Sequence, residues 1–404
     1  MRRSGTGVVV AIVLCAGGRL HGLSAQGSRD SAGIRIVENS RPQRAGAHAE
    51  RLLASPLLII GPNADTSHQF SRIAGAGRLA DGRIVVADAG SRQLRFFTPA
   101  GGFIKAVGRK GDGPGEFGAL GAFSILPGDT LAAGDPWGSI EYFTNTGRFI
   151  HFLDAINPPI QITPGNRLVL ALMPGGYRLI ASTKRPAMPS PGMRLVDSYY
   201  LAIVGGKNAV AGSIGAFPAY VLQMAHDEPV APLFAPAAFF AANRGAVFAG
   251  FSAEYSIRVY SLSGHLDHII RRQWSPLKVT RAVIDSFAIL QSSTRGSADS
   301  ATVLAAIKAA PSFATLPAFS QLIADRVGRL WVREAGMGDG WSSSPSSDTP
   351  TTWSVFDPQG LWVDDVVMPA RFTPTEIGAD YVLGIARDDS DVESVEIFRL
   401  AAGQ

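Results

Sequence analysis

The sequence predicts an all-β chain of four-stranded antiparallel units closed into a ring, and three observations carry that expectation. Four segments share one pattern: LRFFTPAGGF from Leu94, IEYFTNTGRF from Ile140, IRVYSLSGHL from Ile257 and WSVFDPQGLW from Trp353. In each, an alternating strand ends in Phe97, Phe143, Tyr260 or Phe356, and a glycine follows at Gly101, Gly147, Gly264 or Gly360. Glycine supplies the positive φ of a tight hairpin, so each pattern reads as two strands and their turn. Inner hairpins form the second observation, with strands ending at Asp88, Asp135, Gly250, Glu334 and Asp389 and a weaker version, TPGNRLVLALM, ending at Met173. Once the longest insertion is set aside they recur at about 50 residues, a little above the usual period of a propeller blade. The third is a gapless alignment of IIGPNADTSHQFSRIAGAGRLADGR, from Ile59, on AVGRKGDGPGEFGALGAFSILPGDT, from Ala106. It makes PLLII at 56–60 the outer strand of a blade whose other strands lie at the far end of the chain. The fold expected is a six-bladed β-propeller, its last blade closed by an N-terminal strand that leaves few open edges.

The elements follow in order. Arg2 and Arg3 precede an apolar run from Val8 to Ala16 and small residues at Ser24 and Ala25, the layout of a signal peptide over 1–25. The alternative is a lipoprotein anchored through Cys15, although Leu14 stands where a lipobox takes a small residue. Cys15 is the one cysteine, so cleavage would leave no thiol for disulfides or thiolate metal sites. Residues 26–50 are polar and read as a tether, and the propeller occupies 51–404. With 46% hydrophobic and 17% charged residues the chain can fill a large core. No later segment holds the roughly 18 consecutive apolar residues of a spanning helix, so a periplasmic or secreted monomer is expected. Blade 3 carries GGYRLIASTKRPAMPSPGMRLVDSYYLAIV in place of a short hairpin. Residues 275–317 place Val279, Val283, Phe287, Leu290, Val303 and Ile307 at helical spacing, predicting two short helices inserted between blades 4 and 5. The low-complexity run 336–353 is expected to be a flexible loop.

The signature ADGRIVVADAGSRQLRFFTPAGGFIKAVGRKGDGPGEF, from Ala80, resembles an NHL-type repeat. The layout over 50–400 is similar to that of secreted bacterial six-bladed propellers of TolB-like architecture. This resemblance implies a structural role for Asp88 with Arg92. It also implies an alternative reading, because some NHL-type propellers are lyases that hold a metal through loop residues. A divalent cation would then take His68, His226, Asp227 and Glu228. The glycine-rich GRKGDGPGEF, 108–117, is an inter-blade bend: a phosphate cradle would run into a helix N-terminus with a Gly-Lys-Ser/Thr ending.

In a propeller the second-to-third-strand turns and the inter-blade loops share one face. The repeat alignment puts Asp135, Trp137, Glu254, Tyr255, Arg333, Glu334, Arg387 and Asp388 there, as a polar ring around the channel. Trp137 and Tyr255 would stack on a sugar or apolar side chain, and Arg333 and Arg387 would pair with a carboxylate. The competing reading makes them turn caps and inter-blade contacts. No catalytic residue is marked out: G-x-S-x-G is absent, and no His-x-His spacing points to zinc. With 37 Lys+Arg against 33 Asp+Glu and the basic residues scattered, no nucleic-acid stripe exists. The expectation is an exported scaffold, without cofactor, that binds a protein, peptide or carbohydrate through its polar loop face. The alternative is a periplasmic lyase or hydrolase using a divalent cation.

Overall fold

The structure, a computed structural model, describes residues 26–62, 65–137, 139–154, 166–183, 193–205, 209–225, 228–293, 300–339 and 349–403. The leader with Cys15 lies outside them. Phe97, Phe143, Tyr260 and Phe356, the strand-ending aromatics, are all buried, each in an apolar cluster shared with a neighbouring sheet. Burying a Phe side chain contributes about 1.5–3 kcal/mol, so the residues that mark the hairpins also bind the sheets together. At Gly147 φ is +73°, and a Cβ there would stand 2.8 Å from Val107, so this turn requires glycine.

Among the described residues six sheets follow one another along the chain. Blade 1 comprises Ile73–Arg78, Ile84–Asp88, Gln93–Phe97 and Phe103–Val107. Blade 2 comprises Ala122–Leu126, Thr130–Gly134, Ser139–Phe143 and Phe149–Asp154. Blade 3 begins Asn166–Leu172, Arg178–Thr183 and continues in two long strands, Arg194–Val204 and Val210–Ala225. Blade 4 is Ala238–Ala242, Ala246–Phe251, Ser256–Ser261 and Leu266–Arg272; blade 5 is Phe319–Ala324, Leu330–Glu334, Thr351–Phe356 and Trp362–Met368. Blade 6 is Phe372–Ile377, Tyr381–Arg387 and Glu393–Ala401. An apolar cluster lies between every pair of neighbours, including blade 6 with blade 1 through Ile60, Phe97 and Leu383. The molecule is a six-bladed β-propeller.

Blade 3 corrects the hairpin assigned to TPGNRLVLALM. Met173 follows the first strand rather than ending the second, which is instead supplied by Arg178–Thr183 from the following GGYRLIAST. Helices α1 (Arg281–Ser293) and α2 (Ser300–Ala309) lie between blades 4 and 5. Phe287, Ala288 and Ile307 pack there on Leu233 and Phe234 from the loop before blade 4. Of the run 336–353, Asp339 is buried and 351–353 belong to a strand, while 340–348 lie outside the described residues.

The amino-terminal region runs around the outside of three blades. Gln26–Ser31 and Ile34–Asn39 form a hairpin whose second strand lies parallel to Leu266–Arg272 at the outer edge of blade 4. Asn39 is buried; its Nδ2 donates to the Arg271 and Gly360 carbonyls at 3.0 Å each, and its Oδ1 accepts from Trp362 N at 2.9 Å. The Gln43 and Arg44 amides then donate to the Trp362 and Val363 carbonyls of blade 5. Glu50 takes Arg329 Nη1 on both oxygens, at 3.0 and 2.8 Å. Arg51–Leu52 and Leu58–Ile60 pair with Glu393–Ala401, with Ile60 opposite Val395. Residues 26–50 are therefore not a tether: alternating Ile34, Ile36 and a fully bonded Asn39 commit them to blades 4 and 5.

Candidate functional site at the channel mouth

Strand alternation sends the second-to-third-strand turns to one end of the channel and the first-to-second-strand turns to the other. At the first end, Asp135 Oδ1 accepts from Trp137 N at 2.9 Å, capping its own turn and leaving the Trp137 ring exposed. Asp388 does the same with Ser390 N and Val392 N. Arg387 pairs with Glu393 at 2.6 Å, and Glu393 also accepts from Ile73 N of blade 1. Arg333 is 3% exposed and held by Asp339 at 3.0 Å, so it is no surface group awaiting a carboxylate. Tyr255 is likewise buried, under Phe319 and Phe356, because the next blade covers the ring expected to stack on a ligand. Burial pushes its hydroxyl up to about 12. Arg272 lies 3.9 Å from the Trp362 ring and pairs with Glu334. Glu254 is exposed beside a rim cavity of about 640 Å³ lined by Arg271, Arg272 and Trp274. Turn capping and inter-blade bonding thus occupy most of the expected ring.

Asp88 is fully buried and pairs with Arg95 at 2.9 Å rather than with Arg92. Arg92 occupies the turn at φ +56°, and Arg95 lies two strand positions beyond Gln93, the residue opposite Asp88, and so on the same face. His68 engages Ser67 Oγ through Nδ1 and the Gly101 carbonyl through Nε2, both at 3.0 Å. Both ring nitrogens are taken. Glu228 is exposed at the start of Glu228–Val230, and His226 and Asp227 lie outside the described residues. Among the described residues no three His, Cys, Asp or Glu side chains gather as metal ligands.

The other end of the channel opens into a cavity of about 650 Å³, to which the first strands or turns of all six blades contribute. Its charged lining comprises Asp129, Arg244, Asp325, Arg326 and Glu376. Glu376 is held by Arg326 Nη2 at 2.6 Å, by the Tyr381 hydroxyl and by Arg78 N at 3.2 Å. Burial raises its carboxyl pKa, opposed by the Arg326 charge and those hydrogen bonds. Arg326 Nη2 also donates to the Arg78 carbonyl at 2.8 Å, tying blades 5, 6 and 1 at the mouth. Phe123, Ile125, Leu126 and Leu172 provide apolar wall. None of these residues was singled out from sequence. A signal existed, since Arg244 and Arg326 each follow an Asx cap in corresponding turns, NRG and DRVG.

A sequence family described as a six-bladed β-propeller (DUF5128) matches residues 71–130. No curated protein sequence matches the chain. Among solved structures, a protein of Bacteroides fragilis described as a candidate exported protein is 12% identical, with a TM-score of 0.50 over 91% of this chain and 100% of its own. A DUF4221-family protein of Bacteroides vulgatus is 9% identical, with a TM-score of 0.52 over 88% of this chain and 100% of its own. At such identities the likeness concerns the fold. Among the described residues no helix is long and apolar enough to cross a membrane.

Proposed function

We propose that the protein is an exported binding module whose ligand occupies the mouth of the central channel. The observation that carries this reading is the cavity of about 650 Å³, within the roughly 300–1,000 Å³ of small-molecule sites. Strands on both sides of each turn hold the lining side chains in place. A thermal-shift screen of sugars, short peptides and small organic acids tests it against Ala80→Trp. Ala80 is exposed on the cavity wall, so a large ring there fills the mouth without opening the core. Compounds that raise the melting temperature of the parent are expected to leave this variant unmoved.

Exposed Trp137 and the rim cavity beside Glu254 support a second reading, in which the loop face takes a macromolecular partner. Hits that survive Ala80→Trp but vanish with Trp137→Ala or Glu254→Ala would move the site there. Export rests on the leader pattern of 1–25. Mass spectrometry of the exported protein is expected to find Gln26 at its start, and a lipid-modified Cys15 would place the protein on a membrane surface instead.

A further inference from the structure

Resting on the channel-mouth reading, we propose that the mouth selects an organic anion, a carboxylate on an apolar body, and receives it through Arg244 and Arg326. The two arginines hold equivalent places in adjacent turns. Asn243 Oδ1 caps Gly245 N and Ala246 N at 3.0 and 2.9 Å; Asp325 Oδ1 caps Val327 N and Arg329 N at 3.0 and 2.7 Å. The residue after the cap is arginine both times, so the repeat places both arginines at the same turn position of neighbouring blades, on the lining of one cavity.

The carboxylates of the lining are already engaged. Asp129 accepts from Ala80 N on both oxygens, Asp325 holds Arg329 and Trp331 Nε1, and Glu376 holds Arg326 and Tyr381. Arg244 is exposed on the wall and has neither a charged nor a hydrogen-bonding partner among the described residues. Among the described residues Arg244 is therefore the one lining cation without a counter-charge and the group open to an arriving anion, while Asp129, bonded to the Ala80 amide, keeps its own charge across the mouth. Arg326, fixed by Glu376 and the Arg78 carbonyl, presents its remaining donors from a set position, and arginine donors match the two oxygens of a carboxylate. The apolar wall from blades 2 and 3, with Phe123, Leu126 and Leu172, would cover the body of the ligand.

Cinnamate and its neutral counterpart cinnamamide, titrated calorimetrically or by NMR into the full mature chain, test this. The parent is expected to bind cinnamate about tenfold more tightly than the amide, as loss of a charged hydrogen bond implies. That preference should shrink at higher salt and disappear in Arg244→Gln, whose melting temperature should match the parent. Equal affinity for acid and amide, a preference that persists in Arg244→Gln, or no millimolar binding of cinnamate overturns the proposal. If both compounds bind equally and both are lost in Ala80→Trp, the anion selectivity falls while the mouth remains the site. Undiminished binding in Ala80→Trp removes the mouth reading itself.

Discussion

Glu141 and Arg333 are ionisable groups buried inside the ring, with opposite consequences. Glu141 is 7% exposed in the third strand of blade 2, and its Oε2 accepts from Gly115 N at 3.0 Å. Burial is the main cause of a carboxyl pushed up from 4.5 to about 7; the Gly115 amide works against it and Glu116 adds to it. Between those values the unfolded chain is ionised and the folded one keeps its proton, so the folded state binds more protons. This contribution to stability is whole below 4.5 and is lost as pH rises through about 7. Melting temperatures measured from mildly acid to mildly alkaline pH should fall more steeply for the parent than for Glu141→Gln; equal slopes would count against the assignment. Arg333, by contrast, neutralises Asp339 in the interior. Removing one member of a buried pair typically costs about 3–5 kcal/mol, so denaturant unfolding of Arg333→Ala should show a loss of that order. Arg333→Leu combined with Asp339→Leu should recover part of it.

Among the elements, the strap formed by 26–50 gives the clearest test. Its deletion strips two strands from blade 4 and leaves Trp362 N and the Gly360 and Arg271 carbonyls without Asn39. A lower melting temperature is expected, and Asn39→Ala alone should cost about 1–3 kcal/mol for the polar groups left unsatisfied. An unchanged melting curve for either variant would mean that the strap lies loosely on the ring. The hairpins were legible because the strand, its closing aromatic and its glycine all fall within ten residues, as in LRFFTPAGGF. The strap was not, because IRIVEN is short, sits in polar surroundings and meets partners far along the chain. The expected polar ring illustrates a different ambiguity. An aspartate after a strand looks the same whether it awaits a ligand or, like Asp135 and Asp388, caps its own turn. Arg244 and Arg326 line one cavity only when the turns of two blades come together, which no local window contains.

At the scale of the whole molecule, stability depends on joining the two ends. Deleting 26–62 removes the Leu58–Ile60 pairing from blade 6 as well as the strap. The remainder should lose cooperative unfolding altogether, a stronger effect than deletion of 26–50, and matching transitions for the two truncations would refute this. The same arrangement has a consequence in time. Asn39 is synthesised early, yet its partners Gly360 and Trp362 follow 321 and 323 residues later. Contacts so distant in sequence are slow to form, because the intervening loop must close before they stabilise anything. The last blade likewise waits for both Leu58–Ile60 and Glu393–Ala401. A chain threaded through a membrane amino end first would therefore remain incompletely locked throughout its passage, and would acquire its final form only after the carboxyl end had crossed. Moving 26–62 behind residue 404 through a flexible linker would let the strap emerge beside its partners. Such a permuted chain should refold faster in stopped-flow measurements.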